Sequence, residues 1–333
     1  MNVDHLDRRR AETFVHSAVI AETDEEMVAA LEPQLRRGVT EYDEVLLVVG
    51  ERIRSLLGER VSDLDEVVRW ADPAAFYQRL GFAYEGFRRY LAAQADAGRR
   101  VLVVAEPDLA DSLGAGRGVD RASAYLAYEA ACNDTYAPYG SAVTCVWGSR
   151  HHPASVLDGV RVTHSHLLTA AGLQPSPTYV PPGTYLARRV PLLPPPDHVD
   201  HDWSLTEVRQ LSGLRRSLGA WAAAHHFADE PADDLVVAVV EVASNGLRHA
   251  ATPVRVRTWH QEGTLIVQCD DSGGIPVPPT AGYHRPDITA ALPGGRGLWL
   301  ARQLADVVHV DSVPGRTSVR LLFPHAVMHR HLA

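Results

Sequence analysis

The chain has 333 residues and a net charge of −9, with a pI near 6.0. Hydrophobic residues make up 46% and charged residues 22%, which excludes a disordered or fibrous chain and suits two globular domains. The acidic balance argues against direct nucleic-acid binding. Three cysteines without a Cys-x-x-Cys spacing argue against a disulfide framework or a thiolate zinc site. The opening MNVDHLDRRRAETF has no apolar core behind its charges, and no uninterrupted apolar run is long enough to span a bilayer. Neither a signal peptide nor a membrane contact is therefore expected, and the expected location is cytoplasmic.

The first 173 residues alternate strands and helices. HSAVIAE (16–22) predicts a strand and Asp24 to Arg37 a helix. EVLLVVG (44–50) and RVLVVAE (100–106) are short apolar runs of the kind buried on both faces of a sheet. Pro73 opens a long helical pattern ending near Gly98, Arg121 to Tyr136 is a further helix, and SAVTCVW (141–147) a further strand. This succession predicts a parallel α/β sheet flanked by helices. Gln174 to Asp200 is dense in proline and reads as a linker. The layout is thus a domain at 1–173, a linker at 174–203 and a second domain at 204–325. The second domain opens with helices at about 206–226 and 232–250. Strands follow at 254–260 and 264–271, then a helix at 297–305 and strands at 307–312 and 318–324, a pattern that predicts an α+β sandwich.

Four motifs of the second domain carry chemistry. In EVASNGLRHA (241–250), Glu241 and Asn245 stand at i and i+4 with Arg248 on the same side, while Leu235, Val239, Val242, Gly246 and Ala250 face the other way. A carboxylate there can orient or deprotonate a hydroxyl, and a carboxamide oxygen suits Mg²⁺. CDDSGGIP (269–276) ends a strand with Asp270 and the glycines Gly273 and Gly274, which let a ligand approach the backbone. PGGRGLWLARQLAD (293–306) runs a glycine cluster into a helix, where backbone amides favour phosphate. GRTSVRL (315–321) is a turn into the last strand. Taken singly, each also suits an ordinary solvated helix face, turn or helix start. No Walker A loop, GxxxxGK[ST], is present.

Taken in order, the four motifs resemble the boxes of the GHKL (Bergerat) ATPases, in the form found in anti-sigma-factor serine/threonine kinases. The lead-in LTEVRQLSGLRRSLGAWAAAHHF resembles the first helix of those kinases. The resemblance implies ATP and Mg²⁺ as cofactors. It makes Glu241 the general base and gives Mg²⁺ to Asn245. Asp270 would accept from the adenine amino group and Gly274 would shape the adenine pocket. Gly295, Gly297 and Leu298 would form the lid and phosphate contact, Thr317 would border the adenine, and Arg248 would reach a phosphate or a partner. Ser272 departs from the usual Asp-x-Gly-x-Gly, and serine tolerates positive φ less well than glycine. The lid, about 278–294, is short and contains Pro286 and Pro293. No phospho-accepting histidine on a dimerising hairpin precedes Thr206.

HSAVIAETDEEMVAALEPQLRRGVTEYDEVLLVVG and VTCVWGSRHHPASVLDGVRVTHSHLL resemble the opening and closing parts of the MEDS sensory domain, a RecA-like α/β fold without a nucleotide loop. VVGERIRSLLG (48–58) has no lysine followed by serine or threonine, so no ATP hydrolysis is expected there. Of the 17 histidines, His16, His151, His152, His164 and His166 lie at strand ends. They read as ordinary hydrogen-bonding residues, because no HxxxH or Cys/His quartet supports a metal site. The resemblances together imply a sensory domain controlling a kinase that acts on a STAS-type anti-anti-sigma protein and otherwise sequesters a sigma factor. A homodimer is expected by family likeness. The alternative is a non-catalytic, nucleotide-gated scaffold for a sigma factor or other regulator.

Overall fold

The computed structural model describes residues 14–64, 66–109, 121–249, 253–274, 276–286 and 295–328. The chain divides into two compact units, one running to Tyr185 apart from Gln78–Phe82, the other from Leu186 onward. Among the described residues no helix is long and apolar enough to cross a membrane.

The first unit contains the four predicted strands and further elements between and after them: β1 (Val15–Ala21), α1 (Asp24–Glu41), β2 (Glu44–Val48), α2 (Glu51–Gly58), β3 (Val68–Ala71), α3 (Pro73–Phe76), α4 (Leu80–Asp96), β4 (Val101–Ala105), α5 (Arg121–Thr135), β5 (Ala142–Gly148), α6 (Ala154–Thr163), β6 (His166–Thr169), β7 (Gly172–Pro175) and α7 (Pro182–Leu186). The helix expected from Pro73 to Gly98 is two, α3 and α4. The sheet order is β3-β2-β4-β5-β1-β6-β7. Every pairing is parallel except β6 with β7. β2 and β4 are buried along their whole length, as their unbroken apolar runs require. Val19, Leu47, Val104 and Val146 pack under Met27, Leu31 and Leu35 of α1 and Ile53 and Leu57 of α2. α1 starts at a capping box in which the Thr23 hydroxyl accepts from the Glu26 amide while the Glu26 carboxylate accepts from the Thr23 amide. At the start of α2, where a phosphate loop would end, the Glu106 carboxylate already accepts from the Gly50 amide at 2.9 Å.

The second unit contains β8 (His201–Leu205), α8 (Leu211–Ala224), α9 (Asp229–His249), β9 (Val254–Gln261), β10 (Thr264–Asp271), α10 (Arg296–Leu304), β11 (Val307–Val313) and β12 (Arg316–Pro324). Its sheet is antiparallel, in the order β11-β12-β10-β9-β8. The inner face carries Val254 and Val256, Leu265, Val267 and Cys269, and Val319, Leu321 and Phe323. These pack on Leu214, Leu218 and Trp221 of α8 and on Leu235, Val239 and Val242 of α9. Alternation in β9, β10 and β12 places Arg257, Gln268 and Arg320 on the outer face.

The predicted linker is shorter than 174–203 at both ends. Gln174 and Pro175 lie in β7, and β8 begins at His201 and pairs with β9. Part of the rest is held on the second sheet. Arg189 donates to both carboxylate oxygens of the buried Asp311 at 2.7 and 3.2 Å, and Arg320 donates to the Leu193 carbonyl at 2.6 Å.

Leu235 is fully buried, so Leu235→Ala leaves a cavity under the helix that bears the Glu/Asn pair. The opening free energy of α9 is expected to fall by about 2–5 kcal/mol. Hydrogen exchange of the α9 amides in the full chain measures it, and an unchanged value would contradict the packing described.

Candidate functional site

α9 positions the first pair. Its buried stripe of Leu235, Val239, Val242 and Gly246 faces the sheet, which turns Glu241 and Asn245 toward the start of α10. The approach there is close. A β-carbon at Gly297 would lie 2.5 Å from Asn245 Nδ2 and 3.1 Å from Glu241 Oε2, so a side chain there would push the ends of both residues aside. Glycine lets the first turn of α10 lie against this pair without displacing it. Gly295, the residue before α10, has φ of +80°, the left-handed conformation that glycine adopts without steric cost. Glu241, Asn245, Gly295 and Gly297 are thereby gathered at one helix N-terminus, a place where amide groups and the helix dipole favour anions. Leu298 is buried beside them, and a β-carbon on Gly282 would come within 3.0 Å of it. Arg248, further along α9, is exposed and donates to the Ser244 hydroxyl at 2.7 Å.

Asp270 does not join this group. It lies on the outer face of the sheet, where its carboxylate accepts from Arg257 at 2.6 Å, Gln268 at 2.7 Å and Ser318 at 2.6 Å. These three partners come from β9, β10 and β12, so Asp270 ties the strands together. The expectation that Asp270 meets a ligand beside Asn245 is corrected by strand parity: Leu265, Val267 and Cys269 face the helices, and so must residue 271.

Asp271 is the acid on the inner face. A β-carbon on Gly246, the neighbour of Asn245, would lie 3.4 Å from Asp271 Oδ2. Asp271 Oδ1 accepts from the Gly273 amide at 3.0 Å. Burial raises its carboxyl above the ordinary value, the Gly273 amide opposes the shift and the adjacent Asp270 charge adds to it. Asp271 is in register with Thr317 on β12, which is in register with Ser312 on β11. The two hydroxyls are 2.9 Å apart, and Ser312 accepts from the Val277 amide at 2.9 Å. Thr317 therefore stands in one row with Asp271. Gly274 lies beside the end of α9, where a β-carbon would be 3.8 Å from the His249 carbonyl.

The frame shift by one residue also resolves Ser272. Counted from Asp271, Gly273 occupies the first glycine of Asp-x-Gly. Among the described residues other than glycine, only His226 and Glu262 have positive φ, so Ser272 carries no such strain. Of the predicted lid, residues 287–294 lie outside the described residues. Tyr283 is buried under the Arg302 guanidinium, 3.9 Å from its ring centre.

Residues 205–323 match the family model described as histidine kinase-like ATPase domain. Residues 15–165 match the model described as MEDS, the methanogen/methylotroph, DcmR sensory domain. No curated protein matches the chain. The crystal structure of the RsbU and RsbW domains of Rv1364c from Mycobacterium tuberculosis is similar over 37% of this chain and 32% of that one, with 18% identity and a TM-score of 0.28. The chain thus spans about a third of that structure. Residues 15–165 thus form a MEDS domain, and residues 205–323 a histidine kinase-like ATPase domain of the GHKL type.

Proposed function

We propose that the chain is a cytoplasmic, ATP-dependent switch. Its second domain transfers the γ-phosphoryl group of ATP to a serine or threonine of a STAS-type anti-anti-sigma protein, and in its other state it holds a sigma factor. The MEDS domain sets which state prevails. The observation that carries the reading is the cradle in which the backbone of Gly297 meets Glu241 and Asn245.

The donor set fits a metal-bound triphosphate. Asn245 offers a carboxamide oxygen to Mg²⁺, which when bound neutralises phosphate charge. Gly295, Gly297 and Leu298 present the start of α10 to the phosphates. Arg248 is free to turn from Ser244 toward a phosphate or a partner. Asp271, in place of Asp270, accepts from the adenine amino group, with Gly274 and Thr317 at the purine edge. Glu241 orients the acceptor hydroxyl and takes its proton. Catalysis here is positioning and charge stabilisation. The scaffold alternative, in which nucleotide only gates binding, gains no support from Ser272, whose φ is not positive.

Three outcomes are expected. Asn245→Ala abolishes Mg²⁺-dependent ATP binding in calorimetry, and unchanged affinity would remove the site. Asp271→Asn weakens ATP binding by about tenfold or more, the scale of one charged hydrogen bond, while Asp270→Asn leaves it within about twofold; the reverse order would restore Asp270 as the purine anchor. With labelled ATP, a STAS partner becomes labelled on serine or threonine and Glu241→Gln stops the transfer, whereas a tight complex without label would select the scaffold.

A further inference from the structure

Four side chains of the MEDS domain meet inside it: His16 of β1, Glu129 of α5, Cys145 of β5 and His164, which caps α6. His16 and His164 are fully buried, and Glu129 and Cys145 are 3% exposed, so the expectation of ordinary strand-end histidines fails for these two. Register explains the meeting. β1 pairs with β5 so that Ala18 stands opposite Cys145, and His16, two residues earlier, shares that face of the sheet. α5 and α6 cover it.

The hydrogen bonds fix both imidazole tautomers. His164 Nδ1 lies 2.8 Å from the Val160 carbonyl, which can only accept, so Nδ1 carries the proton. The Asn133 amide nitrogen donates to three carbonyls, those of Glu129, Ala130 and Thr163. Its oxygen therefore faces His16 Nδ1, at 3.3 Å, and that nitrogen is protonated too. In a neutral ring, both Nε2 atoms then point a lone pair at the same carboxylate oxygen, Glu129 Oε2, at 3.1 and 3.4 Å. Two lone pairs aimed at an anion repel. A single proton, on one ring or on the carboxyl, relieves one contact and leaves the other, and protonating both rings places two cations with ring centres 4.0 Å apart in a closed interior. Among the described residues, His164 Nε2 and Glu129 Oε1 are buried with no hydrogen-bond partner.

We propose that this cluster is a site for one divalent transition-metal ion of the zinc class, held by His16 Nε2, His164 Nε2, the Glu129 carboxylate and the Cys145 thiolate. The distances fit. Bonds of zinc length to N, O and S in a tetrahedron put ligand atoms about 3.3–3.6 Å apart. Cys145 Sγ is 3.6 Å from His16 Nε2 and 3.5 Å from Glu129 Oε2. All four ligand atoms lie within 4.8 Å of one another. On binding, Cys145 gives its proton to water. The thiolate and carboxylate then cancel the two charges of the ion, and the buried centre is neutral. The Nδ1 bonds to Val160 and Asn133 are the outer partners that orient ligating imidazoles. Cys132 lies 3.5 Å from His16 Nε2 but donates to the Glu129 carbonyl and stays outside the ligand set. A cavity of about 20 Å³, lined in part by Tyr77, Tyr84, Tyr125 and Tyr136, touches His16, Glu129 and Cys145. It has room for about one water-sized molecule beside the ion.

The test is cobalt titration of the full chain, purified without a histidine tag and stripped with chelator. One equivalent of Co²⁺ is expected to bind, with the visible bands of a tetrahedral ion and a thiolate-to-cobalt charge-transfer band, and Zn²⁺ should displace it. Cys145→Ala should abolish the charge-transfer band and weaken binding at least tenfold, while a Cys132→Ala/Cys269→Ala double variant keeps both. Absence of saturable binding, an octahedral spectrum without the thiolate band, or an unchanged Cys145→Ala spectrum would each overturn the assignment. Should Cys145→Ala fail to fold by circular dichroism, the spectrum of the double variant decides: a thiolate band there can come only from Cys145.

Discussion

The start of α10 lies so close to the pair on α9 that a β-carbon at residue 297 would displace the ends of Asn245 and Glu241. That close approach organises the second domain. It brings the first turn of α10 onto Glu241 and Asn245, and glycine at 297, otherwise costly at a helix start, leaves both side chains where they stand. The buried stripe of α9 holds the pair from behind, and the αL conformation of Gly295 sets the entry of the chain into α10. Remove the close approach, and the polar residues of α9 become a solvated face with no special relation to the glycine cluster.

Much of this was legible from residue spacing. The helix with Glu-xxx-Asn, the strand ending in aspartate and the glycine-led helix stand where periodicity put them. The acid on the helix-facing side of β10 is Asp271 and not Asp270, which the sequence reading missed because two aspartates are adjacent and the choice rests on parity. Leu265, Val267 and Cys269 carried the needed signal: an acid on their face must be odd-numbered. The short strands β3, β6, β7 and β8 were not foreseen, because half-exposed four- and five-residue segments have no apolar run to mark them. The joining of His16, Glu129, Cys145 and His164 was also out of reach. Their neighbourhood depends on β1 lying between β5 and β6, a long-range order that local patterns do not encode.

The proline-rich stretch illustrates the limit of composition. Its prolines allow only the five-residue α7 and the end of the edge strand β7, yet its arginine and carbonyl groups find fixed partners. Asp311 is buried between Arg189 and Arg316, and burial of such a carboxylate is tolerable because it is paired. The segment is therefore partly a surface layer of the second domain, with Val190 and Leu193 still largely exposed.

Under the proposed reading, the row of Asp271, Thr317 and Ser312 bears on base choice. Ser312 accepts from Val277, and when it uses its own proton on Thr317, the Thr317 hydroxyl becomes a donor. Asp271 and Thr317 then offer a purine an acceptor and a donor on neighbouring strands. Adenine presents the complementary order, an amino group next to a bare ring nitrogen. Guanine presents the opposite, a carbonyl next to an N–H, and would set like against like at both positions. The Asp271 carboxylate would discriminate at the first position in any case, and the direction of a single hydroxyl hydrogen would decide the second.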